Sequence, residues 1–297
     1  MIKTKLSKYL DMPPKTPMVL IFDVHNLVYR CLHIANFNAP EDLDFFYWRF
    51  LMINSFFAAI KQFSPDRVIF AIDHKHSWRK NIYKDYKGQR KEARNKSVID
   101  FDKFYPVMDD FLTSFQKNFS NVFCIKADGC EADDIIAILC RERMEDMNKI
   151  IITTDNDMIQ LLTLHRVKIY NPIKKKFTES LNPQMDLEIK ILTGDTSDNI
   201  PKVKDRVGKG TAEKWIRQGV EIYLQEEDVR KNYERNKQLI DFDFIPQQIR
   251  QVIREQFDAY VINPYNEFTI FQWLLKNKIN KYVEDLKMYS SFLKVLK

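Results

Sequence analysis

Nine carboxylates stand at places where a fold could turn them toward one another: Asp23, Asp73, Glu131, Asp133, Asp134, Asp155, Asp157, Asp195 and Asp198. Asp23 follows the apolar run Met18–Phe22, Asp73 follows Val68–Ile72, and Asp155 and Asp157 follow Ile150–Thr154. Glu131, Asp133 and Asp134 open a helical pattern, and Asp195 and Asp198 sit in a polar turn. Residues three apart share a helix face, so Glu131 pairs with Asp134, and Asp195 with Asp198 if that turn is helical. Asp155 and Asp157, two apart, point the same way from extended backbone. Taken singly, each acid reads as a helix cap or a solvated loop residue. Gathered in one crevice they would repel, and hard divalent cations are the remedy: two Mg²⁺ ions, with Mn²⁺ as a substitute, prefer oxygen ligands. Carboxylates around two ions are suited to phosphodiester hydrolysis, in which one ion activates water and both stabilise the attacking and leaving oxygens. His25, His74 and His76 lie near strand ends and read as structural. No histidine is paired with another ligand at helical spacing, so zinc is not expected.

A basic segment follows Asp73. Between Trp78 and Val98 lie Arg79, Lys80, Lys84, Lys87, Arg90, Lys91, Arg94 and Lys96, opposed only by Asp85 and Glu92, with Tyr83 and Tyr86 interleaved. The bland reading is a solvated helix or loop. The alternative is a strip that tracks phosphates and offers rings for stacking on bases. Because it starts beside Asp73, its cations can hold a substrate and offset transition-state charge while metals neutralise the acids.

The elements that must carry these groups alternate. Met18–Phe22, Val68–Ile72, Val122–Ile125, Ile150–Ile152 and Val167–Tyr170 read as strands, several of them apolar on both faces as in a covered parallel sheet. Asp44–Lys61, Phe101–Phe119 and Glu131–Met147 read as helices between them. The expected fold is α/β, a mostly parallel central sheet flanked by helices, and ligands in such sheets bind beyond the carboxyl ends of the strands. After Tyr170 a basic connector with Pro172 and Pro183 leads to helical patterns at Leu187–Leu192, Gly210–Arg217, Pro246–Phe257 and Thr269–Leu296. The division expected is a core over 1–185, with a basic arch at about 77–105, and a mainly helical region over 186–297.

The chain has 297 residues, 45% hydrophobic and 30% charged, enough for one large domain or two ordinary ones and too apolar for disorder. Its net charge of +6 suggests an anionic partner only mildly. Six glycines, with no phosphate-binding glycine pattern, exclude a nucleotide-binding loop. No run approaches the ~20 apolar residues of a membrane span, and Met1–Lys15 has no apolar segment of a secretory signal. Cys31, Cys124, Cys130 and Cys140 lack metal spacing and read as reduced thiols.

These motifs resemble, in order and in combination from about Met18 to Trp215, the 5′ nuclease (flap endonuclease) family. That family includes the 5′→3′ exonuclease domain of bacterial DNA polymerase I and free-standing phage enzymes. Ile21-Phe-Asp23-Val-His-Asn26 and Phe70-Ala-Ile-Asp73 look like its first two motifs. Tyr86-Lys87-Gly88-Gln89-Arg90 is similar to its arch motif, Glu131-Ala-Asp133-Asp134 to its Glu-Ala-Asp-Asp, and Thr153-Thr-Asp155-Asn-Asp157 and Gly194-Asp195-Thr-Ser-Asp198-Asn199 to its last two. With the length and the Asn236–Pro246 segment, the nearest branch is the ribonuclease H of T-even phages. The resemblance implies a PIN-like core and a two-metal 5′ nuclease that removes RNA primers and 5′ flaps in lagging-strand synthesis. Asp23, Asp73, Glu131, Asp133, Asp155, Asp157, Asp195 and Asp198 would hold or surround the ions, with Asp134 as a ligand or its support. Lys87 and Arg90 would stabilise the scissile phosphate, and Arg79, Lys84 and Tyr86 would contact nucleic acid. The family's Gly-rich duplex-binding turn is replaced here by the 202–211 stretch. K⁺ ligation is therefore not expected, and Lys202, Lys204, Arg206 and Lys209 would meet duplex phosphates directly. The implied partners are DNA and RNA–DNA hybrids with 5′ ends or flaps, and a sliding clamp or single-strand-binding protein is a candidate; a cytoplasmic phage monomer is expected. Two other readings fit the residues less well: a non-catalytic module for branched nucleic acid, and a single-strand ribonuclease on a related acidic fold.

Overall fold

The structure, a computed structural model, describes residues 16–284 and 286, apart from 120 and 263. In chain order come β1 (Met18–Asp23), α1 (Val24–Asn38), α2 (Phe46–Phe63), β2 (Arg67–Ala71), α3 (Arg79–Ile82), α4 (Arg90–Asn95), α5 (Phe101–Asn118), β3 (Val122–Ile125), α6 (Ala132–Glu142), β4 (Asn148–Ile152), β5 (Val167–Asn171) and β6 (Lys176–Thr178). Then come α7 (Pro183–Thr193), α8 (Lys209–Gln218), α9 (Glu227–Ile240), α10 (Gln247–Asp258), α11 (Glu267–Lys276) and α12 (Lys281–Glu284). The six strands lie in the order β3-β2-β1-β4-β5-β6, the first five parallel and β6 antiparallel to β5. The strand order reverses direction on either side of β1, so the crevice beyond the ends of β1 and β4 is the switch point at which such sheets bind ligands.

Alternation along each strand feeds two apolar layers. Leu20, Phe22, Val68 and Phe70 point into one, packed by Trp48 and Phe56 of α2, Phe104, Phe111 and Phe115 of α5, and Trp273 of α11. Val19, Ile21, Ile69 and Ala71 point into the other, against Ile135, Ile136 and Leu139 of α6 and Ile253 of α10. Phe56 meets Phe70, Phe115 and Phe119 edge to face at 5.9, 5.0 and 5.8 Å. Truncating such a ring to alanine costs about 3–5 kcal/mol.

All five expected strands form, Val122–Ile125 with the expected ends and the others with ends shifted by at most two residues. Elements that the sequence reading does not announce are α1, α9 and the short β6, with the short α3 and α4 inside the basic segment. The helix expected over Glu131–Met147 stops at Glu142, where Arg143 leaves helical geometry. The single helix expected over Thr269–Leu296 is interrupted at Asn277–Asn280, leaving α11 and α12, and its remainder lies outside the described residues. Among the described residues no helix is long and apolar enough to cross a membrane.

Candidate active site

Local rules bring the acids to the switch point. Asp23 ends β1 and caps α1, its Oδ1 accepting the Asn26 amide at 3.1 Å. Its Oδ2 accepts the Thr153 hydroxyl at 3.0 Å, which joins the ends of β1 and β4. Beyond β2, Asp73 accepts the Ala132 amide at 2.6 Å and so fastens the start of α6. Glu131 caps α6, and its amide donates to Asp134 at 2.9 Å. After β4, Asp155 accepts the Asp157 amide at 2.9 Å. Asp195 follows Gly194, the C-cap of α7, at φ +69°. A Cβ on Gly194 would stand 2.3 Å from the Ile200 carbonyl oxygen, so only glycine fits there.

Two triads of carboxylates result. Oxygens of Asp133, Asp155 and Asp157 lie within 4.8 Å of one another, as do those of Asp157, Asp195 and Asp198. The donor set is oxygen only, which fits a hard divalent cation. The cations of the protein divide the acids unequally. Lys190 of α7 pairs with Asp157 and lies 2.7 Å from Asp195, and Arg90 lies 2.6 Å from Asp198. By contrast, among the described residues no Lys or Arg forms an ion pair with Asp23, Asp73, Asp133 or Asp155; only His25 approaches Asp73, at 3.5 Å. Burial first, then the charges of Asp73 and Asp155, pushes Asp23 up to about 7. Asp133 is raised by burial and by Asp155 and Asp23. Burial lifts Asp157 to about 6 against the pull of Lys190. Asp195 is lowered, because Lys190 and Ser197 outweigh its burial. Uncompensated negative charge at one point is what a divalent cation would relieve.

Glu131 and Asp134 behave differently. Glu131 Oε2 accepts Arg79 Nη1 at 2.9 Å and faces the Tyr86 hydroxyl at 2.8 Å, while Oε1 accepts Lys87 Nζ. Burial opposes its ionisation, but Lys87 and Arg79 hold it down at about 2. Asp134 is fully buried, accepting Trp78 Nε1 at 3.0 Å and paired with Arg79 at 2.8 Å. It serves the frame of the site and has no face left for an ion.

The basic segment docks its turn on the 194–199 loop. The Lys87 amide donates to the Asp198 carbonyl at 2.9 Å, Gln89 reaches the Thr196 carbonyl at 2.9 Å, and Asn199 returns a bond to the Asp85 carbonyl at 2.8 Å. Lys87 adopts φ +55°, a conformation uncommon for a side chain of this kind. Two expectations are corrected here. Arg79 is 3% exposed and Tyr86 is 2% exposed. Neither can meet nucleic acid, because the buried carboxylates of Glu131 and Asp134 need their donors. Lys84 and Arg90 are exposed, Arg90 against Asp198.

In the 202–211 stretch, Val203 and Val207 pack with Leu192, Ala212 and Trp215, which turns Lys202, Lys204, Arg206 and Lys209 outward. Lys204 pairs with Glu226 at 2.5 Å. A Cβ on Gly208 or Gly210 would meet nothing within 4 Å, so neither glycine is demanded by close packing. Sequence reasoning missed Lys190 and Thr153. Lys190 stands five residues before Asp195 with no signal separating it from a solvated helix lysine.

A family model described as 5′-3′ exonuclease, N-terminal resolvase-like domain, matches residues 18–197. One described as T4 RNase H, C terminal, matches residues 181–289. The chain is 27% identical over 281 residues to the ribonuclease H of enterobacteria phage T4, covering 86% of this chain and 91% of that protein. It is 29% identical over 217 residues to DNA polymerase I of Chloroflexus aurantiacus, covering 65% of this chain and 21% of the polymerase. Among solved structures, the 5′-exonuclease of phage T5 with bound divalent zinc matches with a TM-score of 0.64 at 19% identity, over 81% of this chain and 98% of that one. The T5 D15 flap endonuclease in a complex with DNA and metal ions matches with a TM-score of 0.63 at 19% identity, with the same coverage. With the first family model spanning more than half of the sequence, the chain belongs to the 5′-3′ exonuclease family of nucleases, hydrolases of phosphodiester bonds.

Proposed function

We propose that this protein is a Mg²⁺-dependent 5′ nuclease that cleaves RNA primers in RNA–DNA hybrids and 5′ flaps on duplex DNA. The observation that carries the reading is a group of carboxylates without cationic partners directly beneath a basic turn that presents Lys87 and Arg90. When bound, divalent cations supply Lewis acidity toward the phosphoryl oxygens and make water a nucleophile at neutral pH. Asp133, Asp155 and Asp157 would hold one ion and Asp157, Asp195 and Asp198 a second, with Asp23 and Asp73 completing the shell. Lys87 and Arg90 would leave their carboxylate partners and close on the scissile phosphate. Lys84 would guide the single strand, and Lys202, Lys204, Arg206 and Lys209 would grip the duplex. Residues 1–185, with the arch at about 77–105, would carry most of the chemistry, and 186–297 would add Asp195 and Asp198 and the duplex grip. A monomer in the cytoplasm of a phage-infected bacterium fits the likeness to a phage enzyme.

The test is cleavage of a 5′-flapped duplex and an RNA–DNA hybrid by the full chain with Mg²⁺ and with chelator. Magnesium-dependent release of short oligonucleotides is expected. Binding without cleavage would favour a recognition module instead, and preference for plain single-stranded RNA would favour a single-strand ribonuclease.

A further inference from the structure

Arg79 is enclosed by three acceptor residues, two at the start of α6 and one in α9. Its Nη1 donates to Glu131 Oε2 at 2.9 Å and to Asp134 Oδ2 at 3.1 Å, and its Nη2 lies 2.8 Å from Asp134 Oδ1. Its Nε donates to the Leu239 carbonyl at 2.8 Å, within the last turn of α9. The guanidinium also lies 4.6 Å from the centre of the Trp78 ring, whose own Nε1 holds Asp134. Resting on the nuclease reading above, we infer that Arg79 is a positioning residue for the cleavage step: acting through Glu131, it fixes where the Lys87 ammonium stands and ties that place to the end of α9.

Glu131 divides its two oxygens between neighbours, Oε2 toward Arg79 and Tyr86 and Oε1 toward Lys87. The terminal torsion of a glutamate is broad, so a carboxylate is oriented by its donors and not by its own rotamer. Without Arg79, Glu131 turns, and the Lys87 ammonium follows it. The Lys87 backbone cannot compensate, because its amide is held by the Asp198 carbonyl. Misplacing a phosphate-contacting group by about 1 Å costs on the order of 100-fold in rate. A lysine at position 79 supplies the charge but not the planar fork that spans Glu131, Asp134 and the α9 carbonyl. The competing account is that Arg79 holds the fold together and nothing more.

A double-mutant cycle separates the two accounts. Arg79→Gln alone strands two buried carboxylates, so it is combined with Asp134→Asn, and the pair is made in the wild-type and Lys87→Ala chains. Single-turnover cleavage of a 5′-flapped duplex with Mg²⁺ is measured at saturating enzyme, beside flap affinity in Ca²⁺. In the wild-type background the paired change should slow cleavage at least about tenfold and leave affinity within about threefold. In the Lys87→Ala background the same change should cost less than about twofold, because the group it positions is gone. Asp134→Asn alone, which keeps the Arg79–Glu131 contact, should cost less than about threefold. Should the paired variant not fold, Arg79→Lys is carried through the same cycle and is read by the same criteria. Equal losses in both backgrounds, an unchanged rate, or a loss wholly reproduced by Asp134→Asn overturns the inference. A wild-type chain that cleaves neither flap nor hybrid removes the nuclease reading itself, a separate result.

Discussion

Acidifying the solution from about pH 7.5 to about pH 5.5 should weaken divalent-cation binding by about 100-fold. The magnitude follows from the two acids whose carboxyls are raised into this range, Asp23 at about 7 and Asp157 at about 6. An ion that takes a carboxylate must displace its proton. Between these pH values the protonated fraction of a group at about 7 weakens binding by about 25-fold, and that of a group at about 6 by about fourfold. Together this is about 3 kcal/mol. Asp133, also raised, acts in the same direction, while Glu131 at about 2 stays ionised throughout and contributes nothing. Calorimetric titration of the full chain with Mn²⁺ reads the affinity, and repeating it at about pH 6.5 in buffers of different ionisation heat should show release of about one proton. The stability of the metal-free protein should run the opposite way. Both carboxyls lie above their unfolded values, so the folded chain holds protons that the unfolded chain releases. That contribution is complete below about pH 4 and is lost as pH rises through about 6 to 7, a decline of about 4 kcal/mol between about pH 5 and 7.5. Affinity constant within threefold across the window would refute the reasoning, since it would mean that these acids are ionised already or that the ion binds elsewhere.

Changing Asp155 to alanine should abolish detectable cleavage and leave flap affinity unchanged or tighter, because repulsion of phosphate falls; near-normal turnover would contradict its role. Lys87→Ala should lower the single-turnover rate by at least about tenfold with less than threefold loss of affinity, as for a group that acts in the transition state; a pure affinity loss would make it a general phosphate contact. Lys190→Met should destabilise the protein in chelator by about 2 kcal/mol, because Asp157 and Asp195 then face each other without a cation, and magnesium should restore most of the loss; thermal melts with and without the ion decide it. Gly194→Ala should cost about 2–4 kcal/mol in denaturant unfolding, given its positive φ and the Ile200 carbonyl in its path.

The sheet was legible because its strands are short, apolar and bounded by polar residues, and the strand-end acids were legible because parallel strands point their ends one way. What escaped has physical reasons. α1 starts on the residue immediately after β1, so its apolar positions Leu27, Val28, Cys31, Leu32 and Ala35 read as a continuation of a hydrophobic tract. α9 buries only Val229, Asn236, Leu239 and Ile240, too few to mark a face. The segment from Trp78 to Val98 is legible in its charge, its tyrosines and its arch motif, and none of these reveals which side chains turn inward. Arg79 and Tyr86 turn inward because Glu131 and Asp134, some fifty residues later, need donors in the interior. That is long-range information, carried by no local pattern.

The order of the strands has a consequence for synthesis. β1 emerges early, but its second neighbour is β4, and the loop bearing Asp195 and Asp198 comes later still. A chain growing on the ribosome therefore carries Asp23 and the basic turn for more than a hundred residues before Asp195 and Asp198 exist. Until the 194–199 loop exists, the Lys87 amide and the Gln89 side chain lack the carbonyls of Asp198 and Thr196 on which they dock, so the basic turn can take its place only late in folding.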